Sequence, residues 1–171
     1  FNWTNLYRKN FLDWGFCMNR KEFDKLNDKE YFIDIITKTR KSKMKVLEYT
    51  LKGKNKETII FNAHNCHPFQ ANDDISGCAV GIQLFKNLQK IKNRKFTYKL
   101  IIAPEILGPL FWLKKIGNEK KHLKYCVLLK SVGNNNNLKL QRSSDKNSQI
   151  DLVSLAELKK LNLDYKKGGF R

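Results

Sequence analysis

A chain of 171 residues is long enough to bury the core of one ordinary domain. Its 41% hydrophobic content excludes disorder of the whole chain, and no run of 18 apolar residues exists to form a membrane-spanning helix. A net charge of +18, most of it carried by residues 86–171, keeps nucleic acid or another polyanion among the candidate partners. The lysines are nevertheless scattered, as at Lys86, Lys90, Lys95 and Lys99, and read mainly as solvated surface. No nucleic-acid-binding motif accompanies them, so that partner ranks last.

The first ten residues do not form a signal peptide, and the chain begins with Phe1 rather than Met, so its start is expected to lie upstream or to have been removed. Asn19-Arg-Lys-Glu22 has capping-box spacing and predicts a short helix over 20–27. Strands are predicted at Tyr31–Ile36, at Lys45–Lys52 and at Thr58–Ala63, the last with little polar alternation, as in a strand buried on both faces. From Ile75, apolar residues recur every three or four positions through Ile91, which predicts an amphipathic helix. Phe96–Ala103 reads as a buried strand and Leu107–Ile116 as a helix with Pro109 in its first turn. Tyr125–Val132 reads as a further strand, and Asn134 to Asn137 as a loop. Leu138–Arg142 is a short candidate strand, and Ser148-Gln-Ile-Asp151 opens a helix continued by Leu152, Leu155, Leu158 and Leu161. No closing strand is predicted after it.

From residue 58 the order β-α-β-α-β implies an α/β fold, a mainly parallel sheet with helices on both faces. Residues 1–52 read as part of a smaller, strand-rich subdomain. Cys17, Cys66, Cys78 and Cys126 lack paired spacing, which predicts buried free thiols and a cytoplasmic, reducing location. Cys66 as a metal ligand is the weaker alternative, because no CxxC partner exists.

The chemistry concentrates in His64-Asn-Cys-His-Pro-Phe-Gln-Ala-Asn-Asp-Asp-Ile-Ser-Gly77, between a predicted strand and a predicted helix. Imidazole and carboxylate are the donors that bind a divalent metal such as zinc, and loops at the carboxyl ends of strands are where open α/β sheets place their sites. His67 and Asp73 are the candidate metal ligands, with Asn72 and Ser76 placed to hold the Asp73 carboxylate by hydrogen bonds. Glu105, at the end of the next strand, is the candidate general base or a further ligand. Plainer roles stand beside these. Asp73 or Asp74 can cap the following helix, His67 and especially His64 can be hydrogen-bonded structural histidines, and Glu105 can serve the dipole of the helix after it. His122, in a lysine-rich linker, reads as a surface residue.

In family order, Asp13-Trp-Gly-Phe-Cys17, Glu57-Thr-Ile-Ile60, Cys66-His-Pro68, Ala71-Asn-Asp73 with Ser76-Gly77, and Pro104-Glu-Ile-Leu-Gly108 resemble the bacterial aminopeptidase-like proteins encoded near polysaccharide-biosynthesis genes. These belong to the zinc aminopeptidase superfamily. The resemblance implies a three-layer α/β/α sandwich with zinc at the carboxyl edge of the sheet, His67 and Asp73 as ligands, and Glu105 as the catalytic carboxylate acting on a peptide-like or amide substrate. It further implies that residues 1–52 are part of a small β-rich insertion and 53–171 an incomplete aminopeptidase-like domain. The chain departs from the pattern in places. Pro104-Glu105 stands where the superfamily has two glutamates. Asn134 to Asn137 fill an expected acidic position, and the late ligand histidine has no counterpart after Glu105. The expectation is therefore a truncated zinc aminopeptidase-type hydrolase with weak or no activity of its own. A non-catalytic interaction module with the same fold is the alternative, and a basic polyanion-binding protein the third reading.

Overall fold

The computed structural model describes residues 18–34, 36, 38–68, 70–145, 148–163 and 165–168. The motif Asp13–Cys17 lies outside the described residues. The chain divides into two units, Phe1–Lys41 and Ser42–Arg171.

In the first unit, α1 covers Arg20–Phe23, and the Asn19 side chain accepts the Lys21 N–H at 2.8 Å. Asn19 caps the helix, but in place of the predicted capping box Glu22 pairs with Lys25 at 2.9 Å, and the helix is shorter than predicted. The strand expected at 31–36 is not formed by the described residues there. Phe32 and Ile36 are almost fully exposed. Strand-forming side chains make a strand only when a neighbour supplies the ladder, and none of the described residues does so here.

The second unit holds a four-stranded sheet in the order β1-β3-β2-β4. Its strands are β1 (Leu47–Leu51), β2 (Thr58–His64), β3 (Thr97–Ala103) and β4 (Leu123–Leu128). β2 pairs parallel with both β3 and β4, and β1 closes one edge antiparallel to β3. The edge strand is tied down by polar contacts: Glu48 accepts the indole N–H of Trp112 at 2.7 Å and the ammonium of Lys99 at 2.6 Å.

Helix α2 (Gly77–Gln89) connects β2 to β3, and α3 (Leu107–Ile116) precedes β4. The two helices cover opposite faces of the sheet, as strand alternation requires. Phe85 of α2 packs with Leu51 and Leu100, while Trp112 of α3 packs with Ile60, Ile101 and Ala103. The α/β/α layering with a mainly parallel sheet is the one the sequence predicts. Because the chain leaves β2 for β3 on one side and later returns to β4 on the other, β2 is the topological switch point. The crevice at its carboxyl end is where such sheets bind ligands.

Beyond the sheet, β5 (Leu138–Gln141) and β6 (Tyr165–Gly168) pair parallel around α4 (Gln149–Lys160). β6 is the closing strand that the sequence did not foretell. Four residues with one apolar side chain carry too little pattern to be read without their partner. α4 starts with the predicted capping box between Ser148 and Asp151. The hydroxyls of Ser143 and Ser148 and the backbone N–H groups of both residues donate to the Asp151 carboxylate. The Ser143 hydroxyl contributes most to holding its pKa down to about 2. A folded-state pKa below the unfolded value of about 3.9 stabilises the fold above that pH, and the contribution is lost as pH falls toward about 2. Asp151→Asn is expected to flatten the acid limb of a stability–pH curve measured by urea unfolding. An unchanged limb would show that this carboxylate is not among the groups that set it.

Candidate metal centre

Strand β2 runs one residue beyond the predicted end, so His64 pairs with Ala103 and stays within the sheet. By strand parity His64 follows Ile60 and Asn62, and its side chain is only 2% exposed. The chain then turns through 72–76 before α2 begins at Gly77, two residues later than the periodicity predicts. In this turn Asp73 and Asp74 leave helical geometry, and the peptide between them is cis.

Asp74 is completely buried. Its Oδ2 accepts the backbone N–H of His64 at 3.0 Å, and its Oδ1 accepts that of Ser131 at 2.9 Å. One carboxylate thus joins the exits of β2 and β4, and charge-assisted bonds offset part of the cost of burying it. The close packing requires Gly77: a Cβ there would stand 2.3 Å from the Leu129 carbonyl oxygen and 2.5 Å from Asp74 Oδ1. Helix capping is not the role of Asp74, and the N-terminus of α2 has no side-chain cap.

Asp73, half exposed, places Oδ1 3.0 Å from His64 Nε2. The ring nitrogen is buried and is left without a hydrogen-bond partner. On the other side of the ring, Nδ1 lies 3.4 Å from Cys66 Sγ. Among the described residues two groups of candidate donors converge, His64 with Asp73 and Asp74, and His64 with Cys66 and Glu105. A buried imidazole nitrogen lacking a hydrogen bond beside a carboxylate oxygen is a donor set that suits zinc. Asp73 and Glu105, both singled out by sequence, take part. His67 is half-buried and belongs to neither group; His64, read from sequence as the more structural histidine, belongs to both. Cys66 is the group the sequence rated lower. Asn72 and Ser76 do not hold the Asp73 carboxylate. Asn72 Oδ1 accepts Gly133 N–H at 2.8 Å and Ser76 Oγ accepts Val132 N–H at 3.1 Å, so both bind the turn to the segment after β4.

Glu105 follows β3 and precedes Ile106, whose φ of +63° is rare for a β-branched residue. The Leu107 N–H donates to the Glu105 carbonyl at 2.6 Å across this tight γ-turn. Gly108 then passes so near β3 that a Cβ would meet that of Ala103 at 2.3 Å. Strained backbone of this kind persists only where its surroundings enforce it, and here it presents Glu105 at the sheet edge. Lys130 is the residue that sequence reasoning missed. It follows β4 as Glu105 follows β3, and its Nζ lies 2.5 Å from Glu105 Oε1. Burial pulls the ammonium's pKa down, but the Glu105 hydrogen bond and the charges of Glu105, Asp73 and Asp74 outweigh it and raise it. The signal was the position alone, a lysine closing an apolar run.

Asn134 to Asn137 form a local turn in which Asn134 bonds to Ser131 and Asn136. His122 stands at the start of β4, at the opposite end of the sheet from His64. Cys78 is a buried free thiol as expected, whereas Cys66 and Cys126 are free but exposed, because an edge strand and a loop give them no cover. Among the described residues no helix is long and apolar enough to cross a membrane.

The chain is 29% identical over 150 residues to a Clostridium acetobutylicum protein named "Putative polysaccharide biosynthesis protein with aminopeptidase-like domain". The match covers 88% of this chain and 34% of that protein. Its fold resembles the crystal structure of a putative peptidase from the same organism, with a TM-score of 0.71 and 27% identity over 74% of this chain and 30% of that one. The chain therefore spans about a third of the length of the relatives it matches. A family model matches residues 9–171, nearly the whole sequence, and the chain belongs to the family described as a domain of unknown function, DUF4910.

Proposed function

We propose that the chain carries the metal site and the general base of a zinc-dependent, aminopeptidase-like metallohydrolase acting on peptide or amide bonds. The observation that carries this is the buried His64 imidazole facing Asp73 at the switch point of the sheet, with Glu105 presented from the neighbouring strand. Asp73 supplies the carboxylate ligand. The imidazole ligand is His67 in the family resemblance, while the geometry supports His64 in that role. Zinc, when bound, would supply a Lewis acid for the substrate carbonyl. Glu105 would take a proton from the attacking water onto a carboxylate oxygen and pass it to the departing amine. Asp74 keeps the exits of β2 and β4 in place, so the donors do not spread when the substrate enters. A reducing, cytoplasmic setting accords with the free thiols of Cys66, Cys78 and Cys126.

Calorimetric titration of the chain with zinc tests the reading. Few protein ligands converge, so binding weaker than micromolar is expected, and Asp73→Ala should abolish it. His64→Ala and His67→Ala should tell which imidazole binds. Sub-micromolar affinity at one site would contradict the expectation of a missing ligand. Binding unchanged in all three variants would remove these residues from the site.

A specific observation favours a non-catalytic module as the second reading: Glu105 is already paired with Lys130 and the neighbouring loop offers only neutral asparagines. Hydrolysis of aminoacyl-amide substrates by a longer chain of this family, lost on replacing the residue matching Glu105 by Gln, would decide for the enzyme.

A further inference from the structure

Resting on the zinc reading above, we propose that Lys130 is an internal counter-ion of the site that must give way before a divalent cation is held, so that it sets a low metal affinity. Three observations carry the inference. The Lys130 ammonium is ion-paired to Glu105 at 2.5 Å, and Glu105 belongs with His64 and Cys66 to one of the two donor groups. Asp73 and Asp74, which form the other group with His64, bring further negative charge to the same crevice, and Asp74 accepts the N–H of Ser131, the residue next to Lys130, at 2.9 Å. Its place is built rather than incidental. Ser131, the residue after Lys130, has a φ of +53° and gives its N–H to Asp74, while Ile106, the residue after Glu105, has a φ of +63°. Both strands thus turn sharply just past the charged pair, and both turns are strained backbone held by their surroundings.

A single positive charge in this position does part of what a metal ion would do. It neutralises carboxylates that would otherwise repel one another, and it repels any cation that approaches them. Entry of a divalent ion therefore requires the ammonium to swing out to solvent, which its half-exposed side chain allows. The long, flexible lysine stem suits such a movement better than the planar fork of arginine. Lys130 sets metal affinity here and is not a catalytic residue.

The experiment compares zinc titrations of the full chain, Lys130→Met and Lys130→Arg by calorimetry, with circular dichroism of each variant. Lys130→Met is expected to bind zinc on the order of tenfold more tightly, because a unit charge a few ångströms from the ion is removed in a partly screened site. Lys130→Arg, which keeps the charge and is harder to displace from Glu105, should bind zinc no more tightly than the parent. Binding by the parent with no gain in a folded Lys130→Met overturns the counter-ion and leaves the metal reading standing. No zinc binding by either protein overturns both. If Lys130→Met fails to fold, Lys130→Gln replaces it under the same criteria.

Discussion

Replacing Asp74 with alanine is expected to destabilise the chain by about 3 kcal/mol, the cost of stranding one buried and one partly buried backbone N–H group. Both donors are main-chain groups at strand exits, His64 on β2 and Ser131 after β4. Asp74 itself has no exposed surface. Asp74→Asn should fall between parent and alanine, since the amide keeps one acceptor oxygen but turns an NH2 toward the second donor. Urea unfolding followed by circular dichroism measures both. A loss within about 0.5 kcal/mol for the alanine variant would show that this carboxylate is not the tie between the strands. Because domains are stable by only about 5–15 kcal/mol, the expected loss is a large share of the total.

Phe85→Ala is expected to cost about as much or more, 3–5 kcal/mol on the scale of buried aromatic truncations. Phe85 is 2% exposed, at the centre of the layer between α2 and the sheet. It packs with Leu51 and Leu100 and meets Tyr49 and Phe61 edge to face, with ring centroids 6.1 and 5.9 Å apart. Removing the ring loses its burial and leaves a cavity that two strands and a helix close only in part. Phe85→Leu, which refills most of the space, should lose less than half as much. Equal losses for the two variants would mean that contact with the rings, not volume, dominates.

Both predictions concern residues whose roles emerge at different levels of the sequence. Phe85 was legible in part: the recurrence of Ala79, Ile82, Phe85 and Leu88 announces the helix, but Ala79 and Ile82 are exposed and the buried face runs through Cys78, Gly81 and Phe85. Also legible were β2, β3 and α3, whose apolar runs stop at turn residues and whose order forces a parallel sheet. The strand at 31–36 was not, because its composition carries β propensity without saying whether a partner exists. β4 ends sooner than its apolar run: Leu129 still gives its N–H to the Asn62 carbonyl of β2, but Ser131 turns its own to Asp74. The same limit applies to the site. Spacing brings two histidines and two aspartates onto one loop, but it does not tell which ring turns inward. That depended on β2 extending to His64 and on the turn at 72–76 carrying Asp74 under it. The ion pair of Lys130 with Glu105 joins residues 25 positions apart and becomes visible only when β3 and β4 flank β2.

Such a crevice holds a cation only if the imidazole and the carboxylates face one point, and that claim is open to direct inspection. Crystals of the chain soaked in zinc and measured at the zinc absorption edge locate the ion by anomalous scattering. The account predicts a peak at the carboxyl end of β2, about 2 Å from an imidazole nitrogen and from an oxygen of Asp73. A peak only elsewhere, or none in crystals soaked well above the calorimetric dissociation constant, contradicts it.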